Sequence, residues 1–174
     1  MDVTAETDFW PGFVLSTVET YTASTEKPVI FEVDRVDLDF RLVTGTSAKQ
    51  RTGVWVTNPE QSRYLFFGEY ATHDATLGGW QYHRVTGETG DIPFPDDGVA
   101  IPAFSEAKFN DGGNHRVKVA VDGEKVRLYL DDVAGPVVPF ELSENIVFAF
   151  GTFVRAATDQ AAGAFDNAVV SIPG

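Results

Sequence analysis

Apolar and polar residues alternate along this chain in short runs. In "VDLDFRLV", Val36, Leu38, Phe40 and Leu42 face one way, and Asp37, Asp39 and Arg41 the other. "HRVKVAV" sets Val117, Val119 and Val121 against Arg116, Lys118 and Ala120, and "KVRLYL" resumes with Val126, Leu128 and Leu130. A period of two marks a strand with one buried face. Between the last two runs stands Asp122-Gly123, a pair suited to a tight hairpin because glycine supplies positive φ. Further strands are expected at "FVLSTVETY", "PVIFEV", "TGVWV", "RYLFFGEY", "WQYHRV", "NIVFAFGTFV" and "GAFDNAVVSI". No segment carries sustained helical spacing. Roughly ten strands divided by turn residues predict an all-β, two-sheet antiparallel sandwich.

The stretch from 86 to 114 breaks this rhythm. It is rich in Gly, Pro and Asp and reads as long loops with one short strand near "GVAIPA". Long loops in a domain of this size are often functional. The length, 174 residues, fits one domain over 1–174, and 14 phenylalanines suit a pleated core. A net charge of −13 argues against nucleic acid and anionic membranes as partners, since phosphate binding needs clustered Lys and Arg. The absence of cysteine excludes disulfides and thiolate metal sites. No apolar run approaches the ~18 residues of a membrane span. The first residues show no basic end and no apolar stretch, hence no visible signal peptide. The end at "VVSIPG" follows a strand-like run, which suggests one module of a longer extracellular or periplasmic protein with neighbouring domains.

"GNHRVKVAVDGEKVRLYLDD" resembles the penultimate hairpin of concanavalin A-like jelly rolls, and "VFAFGTFVRAATDQAAGAFDNAVV" resembles their closing strands. Laminin-G-like domains and many carbohydrate-binding modules share this shape. The resemblance covers residues 108 to 172, and the first hundred residues agree in strand pattern only. It implies the jelly-roll fold. It does not fix the function, because lectins, glycosidases, lyases and adhesion modules all use this fold.

The candidate site centres on "WQYHRV". As a strand it places Trp80, Tyr82 and Arg84 on one face and Gln81, His83 and Val85 on the other. Two readings stand side by side. In one, the aromatics fill the sandwich, and Gln81 and His83 look outward. In the other, the aromatics are exposed as a flat platform for the apolar faces of sugars. Arg84 weighs toward exposure, since arginine is rarely buried unpaired. On the platform reading Trp80, Tyr82 and Trp55 stack on sugar. Arg84, Arg63, His83, Gln81, Glu69 and Asn58 supply hydrogen bonds. Trp55 alternates with Val54 and Val56, and reads equally as core.

Gln81-Tyr82-His83 also resembles the "Q-I/V-H" signature of alginate lyases. There the Gln neutralises a uronate carboxylate and the His helps remove the C5 proton. Those enzymes' "R-x-E-x-R" and "Y-F-K-A-G-x-Y" segments are not visible here. An enzyme would therefore centre on Gln81, His83 and Tyr82, or on Glu69 as a general acid. Glycosidase chemistry needs two carboxylates about 5 to 10 Å apart, and no "E-x-D-x-x-E" run provides them. His73, His83 and His115 are scattered, without zinc spacing or a catalytic triad.

Jelly rolls often hold a structural Ca²⁺ between the first and last strands. Asp166 and Asn167 match the family's "F-D-N" position, and Asp8 is placed to meet them. The equally open alternative is that Asp166 and Asn167 only cap a turn. The sequence thus points to a carbohydrate-binding module acting through a groove or aromatic platform on one sheet. An enzyme cleaving polysaccharide or glycoside is the alternative, and an adhesion domain contacting protein the third reading.

Overall fold

The computed structural model describes residues 2–4, 12–41, 49–72, 79–86, 98–104, 113–154 and 160–174. Their strands are β1 (Asp2–Thr4), β2 (Gly12–Ser16), β3 (Val29–Arg41), β4 (Lys49–Thr57), β5 (Tyr64–Thr72) and β6 (Gly79–Val85), followed by β7 (Val99–Ala100), β8 (Asn114–Val121), β9 (Lys125–Leu130), β10 (Val133–Pro139), β11 (Val147–Val154) and β12 (Gln160–Ser171). One sheet runs β1-β12-β3-β8-β9-β10, and the second β2-β11-β4-β5-β6-β7. Every pairing among them is antiparallel. This is the two-sheet sandwich that the alternation predicts.

Alternation sorts the side chains as expected in β8 and β9. Val117, Val119 and Val121, with Val126, Leu128 and Leu130, are buried in the space between the sheets. Gly123 turns the connecting loop at a φ of 92°, and Asp122 accepts the amides of Glu124 and Lys125 through its Oδ1. From the opposing sheet Val54, Val56, Leu65, Phe67 and Phe148 meet this layer, with the Phe31 and Phe148 rings stacked at 5.1 Å.

Three expectations change. "PVIFEV" and "VDLDFRLV" are one continuous strand, β3, because no turn residue separates them. Its alternation over Val36 to Leu42 falls on side chains outside those described. β10 was not expected, since Gly135, Pro136 and Pro139 all speak against a central strand. It occupies the sheet edge, where a missing N–H breaks no ladder, and Gly135 passes close over Phe104. A turn at Asp131 and Asp132 feeds it, both residues at positive φ (50° and 64°). That is the type I′ geometry of a two-residue hairpin. Of the stretch from 86 to 114, the described part holds β7 and a short 3₁₀ turn over Pro102–Phe104. The rest lies outside the described residues. No described helix is long and apolar enough to cross a membrane.

Candidate functional site on the outer face of one sheet

β4, β5 and β6 are adjacent, and their pleat divides each into an inner and an outer set. Val54, Val56, Leu65, Phe67 and Trp80 point inward to the main core. Trp55, Tyr64, Phe66 and Val85 point outward and, with Ala149 of β11, form a second apolar cluster on the opposite side of the sheet. Register explains the grouping. Ala149, Trp55, Phe66 and His83 form one cross-strand row. The Trp55 ring lies 4.7 Å from Phe66 and 5.1 Å from Phe153, and Phe66 lies 5.6 Å from His83.

The next row is Gly151, Gly53, Gly68 and Gln81. A Cβ at Gly53 or Gly68 would fall 2.3 Å from a backbone oxygen and within 3.0 Å of the Phe66 ring. The facing glycines therefore form the seat in which Phe66 lies. The bare row allows aromatic rings to lie against the sheet rather than stand on it.

The structure decides between the two readings of "WQYHRV". Trp80 is 3% exposed and sits between the sheets. Its ring packs 5.8 Å from Phe67 and edge-on to His115 at 5.7 Å, with the Arg35 guanidinium 5.3 Å from its centroid. The expected platform role of Trp80 is therefore corrected, since sugar does not reach a ring enclosed by two sheets. Tyr82, on the same inner side, packs against the same core. Arg84 misled because it lies near the strand end, where its side chain escapes to solvent and donates to the Pro139 carbonyl at 2.6 Å. Gln81 and His83 take the outer face.

Glu69 is also corrected. It is completely buried on the inner side of β5 and ion-paired with Arg35 of β3. The enzyme set is thus split by the pleat, with Gln81 and His83 outside and Tyr82 and Glu69 inside. His83 is only 2% exposed, and Gly98 lies against it and Gln81. Arg63 lines a different cleft, with Asp122, Glu124, Lys125, Glu141 and Glu144. It is not gathered with Trp55.

The residues that are gathered surround a cleft of about 570 Å³ over the outer apolar cluster. Trp55, Tyr64, Val85, Ala149 and Phe153 lie beneath it, and Thr17, Val18, Thr20, Asn58, Gln61 and Ser62 are among its other lining residues. Of the expected ligand residues, Trp55 and Asn58 are present. Asn58 is engaged in its own turn: its Nδ2 donates to Glu60 and Ser62, and its Oδ1 accepts the Arg63 amide. It shapes the wall by holding residues 58–63, and in this turn Gln61 adopts a φ of 56°. Sequence reasoning missed Tyr64, Phe153, Thr20 and Gln61. The outward position of Tyr64 was available from the alternation of "YLFFGEY", whereas the arrival of Thr20 from a distant segment carried no local signal.

The described members of the calcium expectation are engaged elsewhere. Asp166 accepts the Asn167 amide, and Asn167, at a φ of 51°, donates its Nδ2 to Asp34. Asp34 also binds Arg116, whose guanidinium is held above its ordinary pKa chiefly by its hydrogen bond and charge interaction with Glu32. Ca²⁺ takes six to eight oxygens. The described residues at this position are Asp34, Asp166 and Asn167, and they lie where the pairing of β12 with β3 becomes irregular after Asp166. Asp8 lies outside the described residues, and no described group of three or more acids or histidines is arranged to hold a metal.

Similar arrangements of strands occur in solved structures. The Emp46p carbohydrate recognition domain, in its potassium-bound form, superposes with a TM-score of 0.59 at 12% identity, covering 97% of this chain and 81% of that one. The endo-1,3-β-glucanase from Streptomyces sioyaensis gives 0.57 at 11% identity, covering 91% and 69%. The marine alginate lyase AlyA1 from Zobellia galactanivorans gives 0.55 at 9%, covering 90% and 66%. The fold is that of the concanavalin A-like jelly rolls. At these identities the likeness is one of fold alone. No family model and no curated protein matches the sequence of this jelly roll.

Proposed function

We propose that this jelly roll binds carbohydrate in the cleft over Trp55. The observation that carries the reading is the cleft itself, with an aromatic and aliphatic floor on one sheet and hydroxyl and carboxamide groups around it. Sugars present apolar C–H faces and a ring of hydroxyls, and such a lining answers both. Solved jelly rolls of the same fold include a carbohydrate recognition domain and polysaccharide-cleaving enzymes, which supports a carbohydrate partner in general. The role suits an extracellular or periplasmic setting.

The test is a glycan screen of the wild type beside Gln61→Ala and Trp55→Ala, with melting curves for each. Gln61 is exposed, so its loss leaves the fold intact. Binding by the wild type that weakens in a folded Gln61→Ala protein supports the site. Binding that neither variant alters moves the ligand elsewhere.

A second reading, cleavage of a sugar chain at Gln81 and His83, is favoured by one observation. Both side chains lie on the face that carries Trp55, and His83 shares its cross-strand row. Product released in the same wells, and lost in His83→Ala, would make this the primary reading.

A further inference from the structure

We infer that the cleft over Trp55 selects an uncharged sugar chain and discriminates against polyuronates. This rests on the carbohydrate reading above and adds the chemical class of the ligand. Among the described residues no charged side chain lines the cleft, although charged residues make up 22% of the chain. Its polar groups include the hydroxyls of Thr20 and Ser62 and the carboxamide of Gln61. Each of these donates and accepts, as a sugar hydroxyl does. A carboxylate brought against this lining would lose hydration and gain no cation.

Two acids flanking the rim act in the same sense. Glu19 stands between Val18 and Thr20, and Glu60 between Pro59 and Gln61; both are exposed. An anionic chain approaching the cleft meets like charge. The described cations nearest in the chain are directed elsewhere: Arg63, between Ser62 and Tyr64, lines the other cleft, and Arg84, beside Val85, donates to the Pro139 carbonyl. Arg35 is enclosed between the sheets, and Arg116 and Lys118 are paired with acids on the other sheet. Arg51 shares the outer face but is 3% exposed, two rows from Trp55 and outside the cleft lining. Val18 is fully exposed on the rim, where an aliphatic side chain suits the C–H face of a neutral pyranose.

The experiment is calorimetric titration of the full chain with neutral oligosaccharides (β-1,3-glucan, mannan and galactan) and with polyuronates (alginate and polygalacturonate). Each is run at low salt and at about 1 M salt, where the Debye length is only ~3 Å. The expected result is a neutral ligand whose affinity salt does not change, with polyuronates at least about tenfold weaker. Val18→Lys, at a position with no packing to lose, should narrow that gap at low salt.

A preference for polyuronate that salt abolishes overturns the inference and leaves the carbohydrate reading standing. Binding of neither class by the folded protein overturns the carbohydrate reading, and the inference with it. Unchanged discrimination in Val18→Lys removes the selection from this cleft and overturns its assignment.

Discussion

Arg35 of β3 and Glu69 of β5 form an ion pair across the interior of the sandwich, joining the two sheets, with both side chains fully enclosed. Removing one partner of such a pair leaves a buried charge without its counterion. Glu69→Ala should therefore cost about 3–5 kcal/mol of stability, read by denaturant unfolding. The double substitution Arg35→Met with Glu69→Leu should recover most of that loss, because it removes both charges together. A single substitution that costs no more than a surface change would show that the pair does not join the sheets energetically.

The two tryptophans at the centre of the sequence question should behave differently. Trp80→Ala opens a cavity in the main core and should cost about 3–5 kcal/mol. Any loss of binding it causes should follow loss of fold. Trp55→Phe keeps an aromatic ring on the outer face and should lower the affinity for a bound glycan more than it lowers the melting temperature. Paired melting and titration of the two variants check this.

The facing glycines give a third prediction. At Gly68 an added methyl would lie 2.3 Å from the Thr52 backbone oxygen and 2.8 Å from the Phe66 ring. Backbone cannot yield as a side chain does, so Gly68→Ala should destabilise by about 1–3 kcal/mol through overpacking. The loss should come with a displaced Phe66 and with weakened binding in the neighbouring cleft. A crystal structure of the variant with Phe66 unmoved would count against the seat.

Asp132 offers a pH readout. A hydrogen bond and the charge of Lys118 hold its carboxyl below the usual aspartate range. A carboxyl lowered on folding favours the folded state above the ordinary aspartate range. That contribution is lost as pH falls through the lowered value. In Lys118→Met the Asp132 titration, followed by carbon-detected NMR, should move up toward the ordinary range. The stability change should be small, since the pair is exposed.

Much of the architecture was legible because pleating converts a period of two directly into burial. β8, β9 and their Asp-Gly hairpin needed nothing beyond local pattern. β10 was illegible for the same reason, since Gly135, Pro136 and Pro139 are tolerable only at an edge, and edges are set by topology. In the site, alternation separated Gln81 and His83 from Trp80 and Tyr82, but sequence could not say which set lies on the outer face of the sheet. Arg84 suggested the wrong side. A cation near a strand end reaches past the layer, so it reports little about the face it starts from. Glu69 read as a ligand-binding or catalytic acid because its partner, Arg35, is 34 residues away and on the other sheet. The rim of the cleft draws on separate segments around Thr17 and Asn58, which only the closed sandwich brings together.

The edge at β10 carries one more consequence. A strand from another chain that sought to extend this sheet would meet Pro136 and Pro139, neither of which has an N–H to offer, and an irregular register between Ala134 and Val137. Val133 and Val137 are exposed there and would otherwise invite such addition. The residues that hid β10 in the sequence also make the last strand of this sheet, among the described residues, a poor template for runaway sheet growth.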